Sequence, residues 1–92
     1  MQFTLRYHPR VADQDLKIVP AETRRRIARS IETRLTTAPE RYGVRLTGSL
    51  RGYWKLRVGD YRVVFKISAP DVFILAILHR KHVYERALRR AE

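Results

Sequence analysis

The sequence predicts an α+β fold with the element order strand, two helices, three strands, helix. Three observations predict it. Residues 2–8 alternate apolar and polar side chains. Ile27, Ile31 and Leu35 recur at helical spacing between Pro20 and Pro39. Residues 53–78 hold two alternating stretches and one continuous apolar run, separated by turn residues. Helices grouped before a run of strands indicate α+β rather than a parallel α/β architecture.

The first strand places Phe3, Leu5 and Tyr7 on one face and Gln2, Thr4, Arg6 and His8 on the other. Pro9 ends it, having no N–H to give a ladder. Residues 10–18 fit a short helix with Val11 and Ile18 among its apolar positions and Asp13 and Asp15 near its start. Pro20 suits the first position of the next helix. That main helix covers residues 20–37, with Ile27, Ala28, Ile31 and Leu35 as its apolar stripe. Arg24, Arg25, Arg26 and Arg29 spread over its other side and read as a solvated face. Pro39 stops it, and residues 40–52 are a connecting segment carrying Arg41, Arg45 and Arg51.

Residues 53–58 and 61–67 each alternate, with Gly59-Asp60 as a two-residue hairpin turn. Residues 72–78, Val-Phe-Ile-Leu-Ala-Ile-Leu, are apolar throughout and fit a central strand covered on both faces. Val83, Ala87 and Leu88 place a short helix over residues 82–91.

A chain of 92 residues is expected to form one domain, spanning 1–92. With 45% hydrophobic residues it can build a core, and the absence of cysteine removes disulfides and thiolate metal sites. No apolar run approaches the roughly 18 residues of a membrane span, and no secretory apolar region opens the chain. A soluble, cytoplasmic protein is expected. Twenty Lys and Arg against nine Asp and Glu give a net charge of +11, carried mostly by Arg. Arg presents a planar fork that matches phosphate and stacks on bases. Such a field favours a polyanionic partner and salt-sensitive association. An acidic protein partner is compatible with the same charge.

The hairpin concentrates that charge. A two-residue turn sets Val58 against Tyr61, Arg57 against Arg62, Leu56 against Val63 and Lys55 against Val64. Trp54, Leu56, Val58, Tyr61, Val63, Phe65 and Ile67 then share an apolar face that packs on the helices. Tyr53, Lys55, Arg57, Arg62 and Lys66 share the other. Like charges directly opposed across a sheet are destabilising, and Asp60 is the only acid nearby. Four cations bordered by Tyr53 suit a phosphate chain with bases stacked alongside. Cations that block edge pairing are the plainer alternative.

The next strand ends in His79-Arg80-Lys81-His82, with Tyr84 just beyond. No carboxylate set has Mg²⁺-ligand spacing, and His79 and His82 lack a zinc spacing. If the protein cuts RNA, it is expected to do so without a metal or other cofactor. RNA supplies its own nucleophile, the 2′-OH. The protein must then supply a base, cations for the pentacovalent phosphorane and an acid for the leaving 5′-oxygen. A lysine amine serves as base only when neutral, a form that cations such as Arg57 and Arg62 favour. His79 or His82 is the conventional acid or base.

The stretch from Leu50 to Phe65, including Gly-Tyr-Trp-Lys-Leu-Arg-Val-Gly-Asp-Tyr-Arg, followed by His79-Arg80-Lys81-His82-Val83-Tyr84, resembles the RelE/ParE toxin superfamily, and its RelE branch in particular. The resemblance covers essentially the whole chain. It implies a mostly antiparallel four-stranded sheet with an N-terminal helical hairpin on one face and a short C-terminal helix. It also implies a toxin of a toxin–antitoxin pair, bound by a cognate antitoxin, that enters the ribosomal A site and cleaves mRNA by 2′-OH attack. By position, Lys55 matches a proposed general base. Arg62 matches the arginine that stabilises the transition-state phosphate, Arg80 a proposed general acid, and Tyr84 a tyrosine that orients the substrate. Tyr53, Arg57, Arg51, Lys81, His79 and His82 complete the expected RNA-binding set. Some RelE members carry a second catalytic lysine where this chain has Tyr53. Two alternatives stay open: a ParE-type inhibitor of DNA gyrase on the same fold, and a catalytically weakened RNA- or antitoxin-binding member.

Overall fold

The computed structural model describes residues 2–91. Five strands form one sheet in the order β1-β5-β4-β3-β2. They are β1 (Thr4–Tyr7), β2 (Val44–Arg45), β3 (Trp54–Val58), β4 (Tyr61–Ser68) and β5 (Asp71–His79). β1 runs parallel to β5 and every other pairing is antiparallel. The helices are α1 (Ala21–Ser30), α2 (Pro39–Tyr42) and α3 (Val83–Ala91). No helix among the described residues is long and apolar enough to cross a membrane.

The hairpin register matches the sequence reading residue for residue, from Val58↔Tyr61 to Lys55↔Val64. Gly59 has φ 59°, the positive value that a II′ turn asks of its first central residue. Its apolar face forms the larger core. Val11, Val19, Ile27, Ile31 and Leu35 pack there on Leu56, Val58, Val63, Phe65, Ile74 and Ile77. Leu35, Val63 and Phe65 have no exposed surface, so each contributes roughly 1.5–3 kcal/mol of transfer free energy.

The opposite face is not left to water. Val83 and Ala87 of α3 and the Leu46 and Leu50 side chains cover Val64, Leu75, Ala76 and Leu78, forming a second core. This explains why β5 is apolar throughout: both of its faces are buried. Its alternation is broken where the β4 pairing shifts from Val64↔Ala76 to Phe65↔Ile74, so that Leu75 has no cross-strand partner.

Four sequence expectations need correction. The sheet has five strands, not four, because Val44–Arg45 pairs with Lys55 and Trp54 inside the supposed connector. Two residues are too few to show a period. Residues 10–18 are not a regular α-helix; Val11–Asp15 is a π-helical turn and Leu16–Ile18 a 3₁₀ turn. Ile18 is 71% exposed, and Leu16 packs on the core in its place. Pro39 does not merely end a helix but begins α2, where its missing N–H is harmless. Finally, the main helix is α-helical only to Ser30 and continues as a π turn over Ile31–Leu35. The Thr33, Thr36 and Thr37 hydroxyls there donate to carbonyls four residues back, a competition that loosens a helical ladder.

Candidate nucleic-acid interface

Lys55 and Tyr84 form the centre of the candidate site. Lys55 projects from β3 on the face opposite the helical hairpin. Tyr84 arrives from the first turn of α3, which packs on that face. Lys55 Nζ donates a 2.8 Å hydrogen bond to the Tyr84 hydroxyl. Nζ also lies 5.4 Å from the ring centroid. The two distances together put the amine off the hydroxyl end of the ring, not over its face. The contact is therefore a hydrogen bond, and the ring faces stay open. Tyr84 is 48% exposed, leaving a flat surface on which a base can stack.

Arg57 and Arg62 face each other one pleat repeat, about 7 Å, further along the hairpin from Lys55. Arg62 Nη1 is pinned by the Gly59 and Tyr61 carbonyls at 3.0 and 2.9 Å. This fixes the Arg62 guanidinium near the turn, while Arg57 opposite it remains exposed. Arg80 sits at the same end. Its N–H donates to the Asp60 carbonyl at 2.8 Å, and its guanidinium lies 3.8 Å from the Asp60 carboxylate. Both partners are more than half exposed, so this pair holds Arg80 only weakly. Among the described residues, no cluster of three or more His, Asp or Glu side chains is placed to hold a metal ion.

The four catalytic candidates thus fall into two groups. Lys55 and Tyr84 touch, while Arg62 and Arg80 gather at the hairpin turn. The other candidates scatter. Tyr53 borders the same face, packing on the second core with Lys66 Nζ 5.8 Å from its ring centroid. Arg51 is exposed in the turn before β3. Lys81 and His82 are exposed beyond β5. His79 pairs with Tyr61 and packs edge-on against its ring at 5.5 Å. Cross-strand partners share a face, so His79 lies on the helical-hairpin side, away from Lys55. Its Nδ1 accepts the Lys81 N–H.

Sequence reasoning missed two features. Asp60 enters as the partner of Arg80, a role that the closeness of a turn acid to the next strand end could have signalled. A groove of about 470 Å³ also opens beside the Lys55–Tyr84 pair. Leu46, Leu50 and Leu88 line it with Thr47, Ser49 and Glu85. No periodicity marks it, because three separate segments build it.

A small cationic α+β domain with this strand order and this face has the fold of the RelE-like toxins. A family model described as the ParE toxin of the type II toxin–antitoxin system parDE matches residues 5–84. Toxin RelE3 of Methanocaldococcus jannaschii is 28% identical over 75 residues, 78% of this chain and 85% of its own. The toxin–antitoxin complex RelBE2 of Mycobacterium tuberculosis contains a chain that superposes with a TM-score of 0.80 at 27% identity, over 87% of this chain and all of that one. The RelB–RelE antitoxin–toxin complex of Methanococcus jannaschii gives 0.66 at 24% identity, over 88% and 96%, a likeness of fold. The chain belongs to the RelE/ParE family and is a toxin of a type II toxin–antitoxin system.

Proposed function

We propose that this toxin is a ribosome-dependent endoribonuclease that cleaves mRNA in the A site by 2′-OH attack, and that a cognate antitoxin neutralises it. The observation that carries this reading is the 2.8 Å contact between Lys55 and Tyr84 on a cationic sheet face. Tyr84 offers a stacking surface for a base, and Lys55 lies at its hydroxyl end to receive the 2′-OH proton. The 2′-oxygen then bonds to phosphorus as the bond to the 5′-oxygen breaks. Arg62, held by two carbonyls, is preorganised for the charge on the equatorial oxygens. Arg80, tethered only at the surface, can swing to donate to the leaving oxygen. The products are a 2′,3′-cyclic phosphate and a 5′-hydroxyl. Arg57, Arg51, Tyr53, Lys81 and His82 extend the cationic and aromatic surface for the RNA on either side.

Primer extension on translated messages after induction of the protein tests this. New 5′ ends inside codons are expected. Growth arrest with no such ends would overturn it. The ParE description of the matching family model supports a second reading, inhibition of DNA gyrase. A supercoiling assay with purified gyrase separates the two. A third reading, a weakened RNA- or antitoxin-binding member, predicts that Arg80→Ala and Tyr84→Ala leave toxicity unchanged.

A further inference from the structure

Besides its apolar contacts with the second core, the helix that carries Tyr84 is held by a buried ion pair where the sheet edge runs out. β1 covers the outer edge of β5 only as far as Ile74. There the His8 N–H donates to the Ile74 carbonyl at 2.8 Å. Further along, no strand among the described residues pairs with β5 on that side, yet Leu75 and Ile77 are buried. Buried backbone groups need hydrogen-bond partners. Two side chains provide them. Asp15 Oδ2 accepts the Ile77 N–H at 2.9 Å. Arg90 Nη1 donates to the Leu75 carbonyl at 3.1 Å. The same two side chains pair with each other through both nitrogens and both oxygens, at 2.6 and 2.9 Å.

Asp15 belongs to the helical segment of one sheet face and Arg90 to the helix of the other. The pair reaches round the edge and ties the two layers together. Both charges are buried: the Asp15 side chain is 2% exposed and the Arg90 side chain 7%. Desolvation offsets most of the attraction in such a pair, so docking strength alone is a poor reason for it. A forked, two-point contact fixes direction and register instead. The other α3 residues on the second core, Val83, Ala87 and Leu88, are apolar, and apolar contacts are non-directional and specify register weakly. The charge setting makes the dependence on Asp15 acute. Arg10 and Arg86 line the cleft around the pair, beside an Arg89 already paired with Glu85, so without Asp15 the Arg90 cation is left buried next to like charges.

We infer that Asp15 and Arg90 are positioning residues: their pair sets the register of α3 and so holds the Tyr84 hydroxyl on Lys55. The inference rests on reading Lys55 and Tyr84 as the reactive pair. Neither residue touches the reacting atoms.

The test uses the full chain with Asp15→Asn, which keeps shape and an acceptor for Ile77 but removes the charge. Amide hydrogen exchange should accelerate in α3 by about a hundredfold, with the β3 and β4 amides changing by less than about threefold. In single-turnover RNA cleavage, Asp15→Asn and Tyr84→Phe should each slow the reaction. The double variant should be no slower than the worse single one, since both remove the same contact. Arg90→Lys, which keeps the charge and loses the fork, should show the same pattern in milder form, and it decides the matter if Asp15→Asn does not fold. Unchanged α3 exchange, or rate losses that multiply in the double variant, would overturn the inference. A wild-type protein that cleaves no RNA sinks the nuclease reading alone, and the exchange measurement still decides whether the clamp exists.

Discussion

Lys55 and Tyr84, 29 positions apart, meet through a 2.8 Å hydrogen bond between a sheet lysine and a helix tyrosine. β3 supplies the amine and α3 the hydroxyl, so the pair exists only when the second core is assembled. Tyr84→Phe keeps the ring for stacking and removes the oxygen that positions Nζ. Single-turnover cleavage should fall by about tenfold, Tyr84→Ala should lose about a hundredfold, and Lys55→Ala should abolish detectable cutting. Thermal midpoints should move little, because Tyr84 is half exposed. Rapid-quench assays beside calorimetry separate the two effects.

Arg57 should show opposite signs in stability and binding. It faces Arg62 across the ladder, a like-charge pair that costs stability without an anion. Arg57→Ala should stabilise the free protein by about 0.3 kcal/mol. The same change should weaken RNA binding and lower the slope of log affinity against log salt by about 0.7. Urea unfolding and a salt titration of RNA binding measure the two sides.

Gly43 is required for steric reasons. A Cβ there would lie 2.6 Å from Phe65 Cζ and 2.9 Å from the Pro39 carbonyl oxygen. Phe65 cannot yield easily, being fully buried and stacked on Trp54 with ring centroids 6.3 Å apart. Gly43→Ala should destabilise the fold by about 2 kcal/mol. Urea denaturation followed by the fluorescence of Trp54, the only tryptophan, measures it.

His8 should make stability fall with acid. Burial first, then the Arg90 and Arg10 cations, hold its imidazole below the ordinary value of 6.5, against a smaller opposing pull from Asp15. Its Nδ1 accepts the Arg10 N–H at 3.1 Å, which needs that nitrogen unprotonated. Above 6.5 the imidazole is neutral folded and unfolded, and the fold keeps this stability. As pH drops below 6.5 the unfolded chain takes the proton first, and stability is lost down to the lowered folded value. The thermal midpoint should therefore fall between pH 7 and pH 5, and His8→Gln should flatten part of that fall.

Much of the fold was legible because its signals are periodic. The two-residue Gly59-Asp60 turn and the alternation on either side specify the whole β3–β4 register, and the i, i+4, i+8 stripe specifies the helix against it. What was hidden has no period. β2 is two residues long. The Leu75 irregularity switches the face of β5 partway, and a strand apolar on both sides shows no alternation to reveal it. The Asp15–Arg90 pair joins residues 75 positions apart, and nothing local marks either as a partner. At the site, motif order brings Lys55 and Tyr84 to one place, but it does not show that His79 turns to the Tyr61 face.

The most direct test is a reconstituted one: purified toxin, ribosomes programmed with a defined message and an empty A site, and the same RNA free in solution. A cut within the A-site codon is expected, leaving a 2′,3′-cyclic phosphate and a 5′-hydroxyl, with far slower cleavage of the free RNA. Lys55→Ala should bind the programmed ribosome and leave the message intact. An uncut A-site codon with wild-type protein bound, or equal cutting by Lys55→Ala, would contradict it.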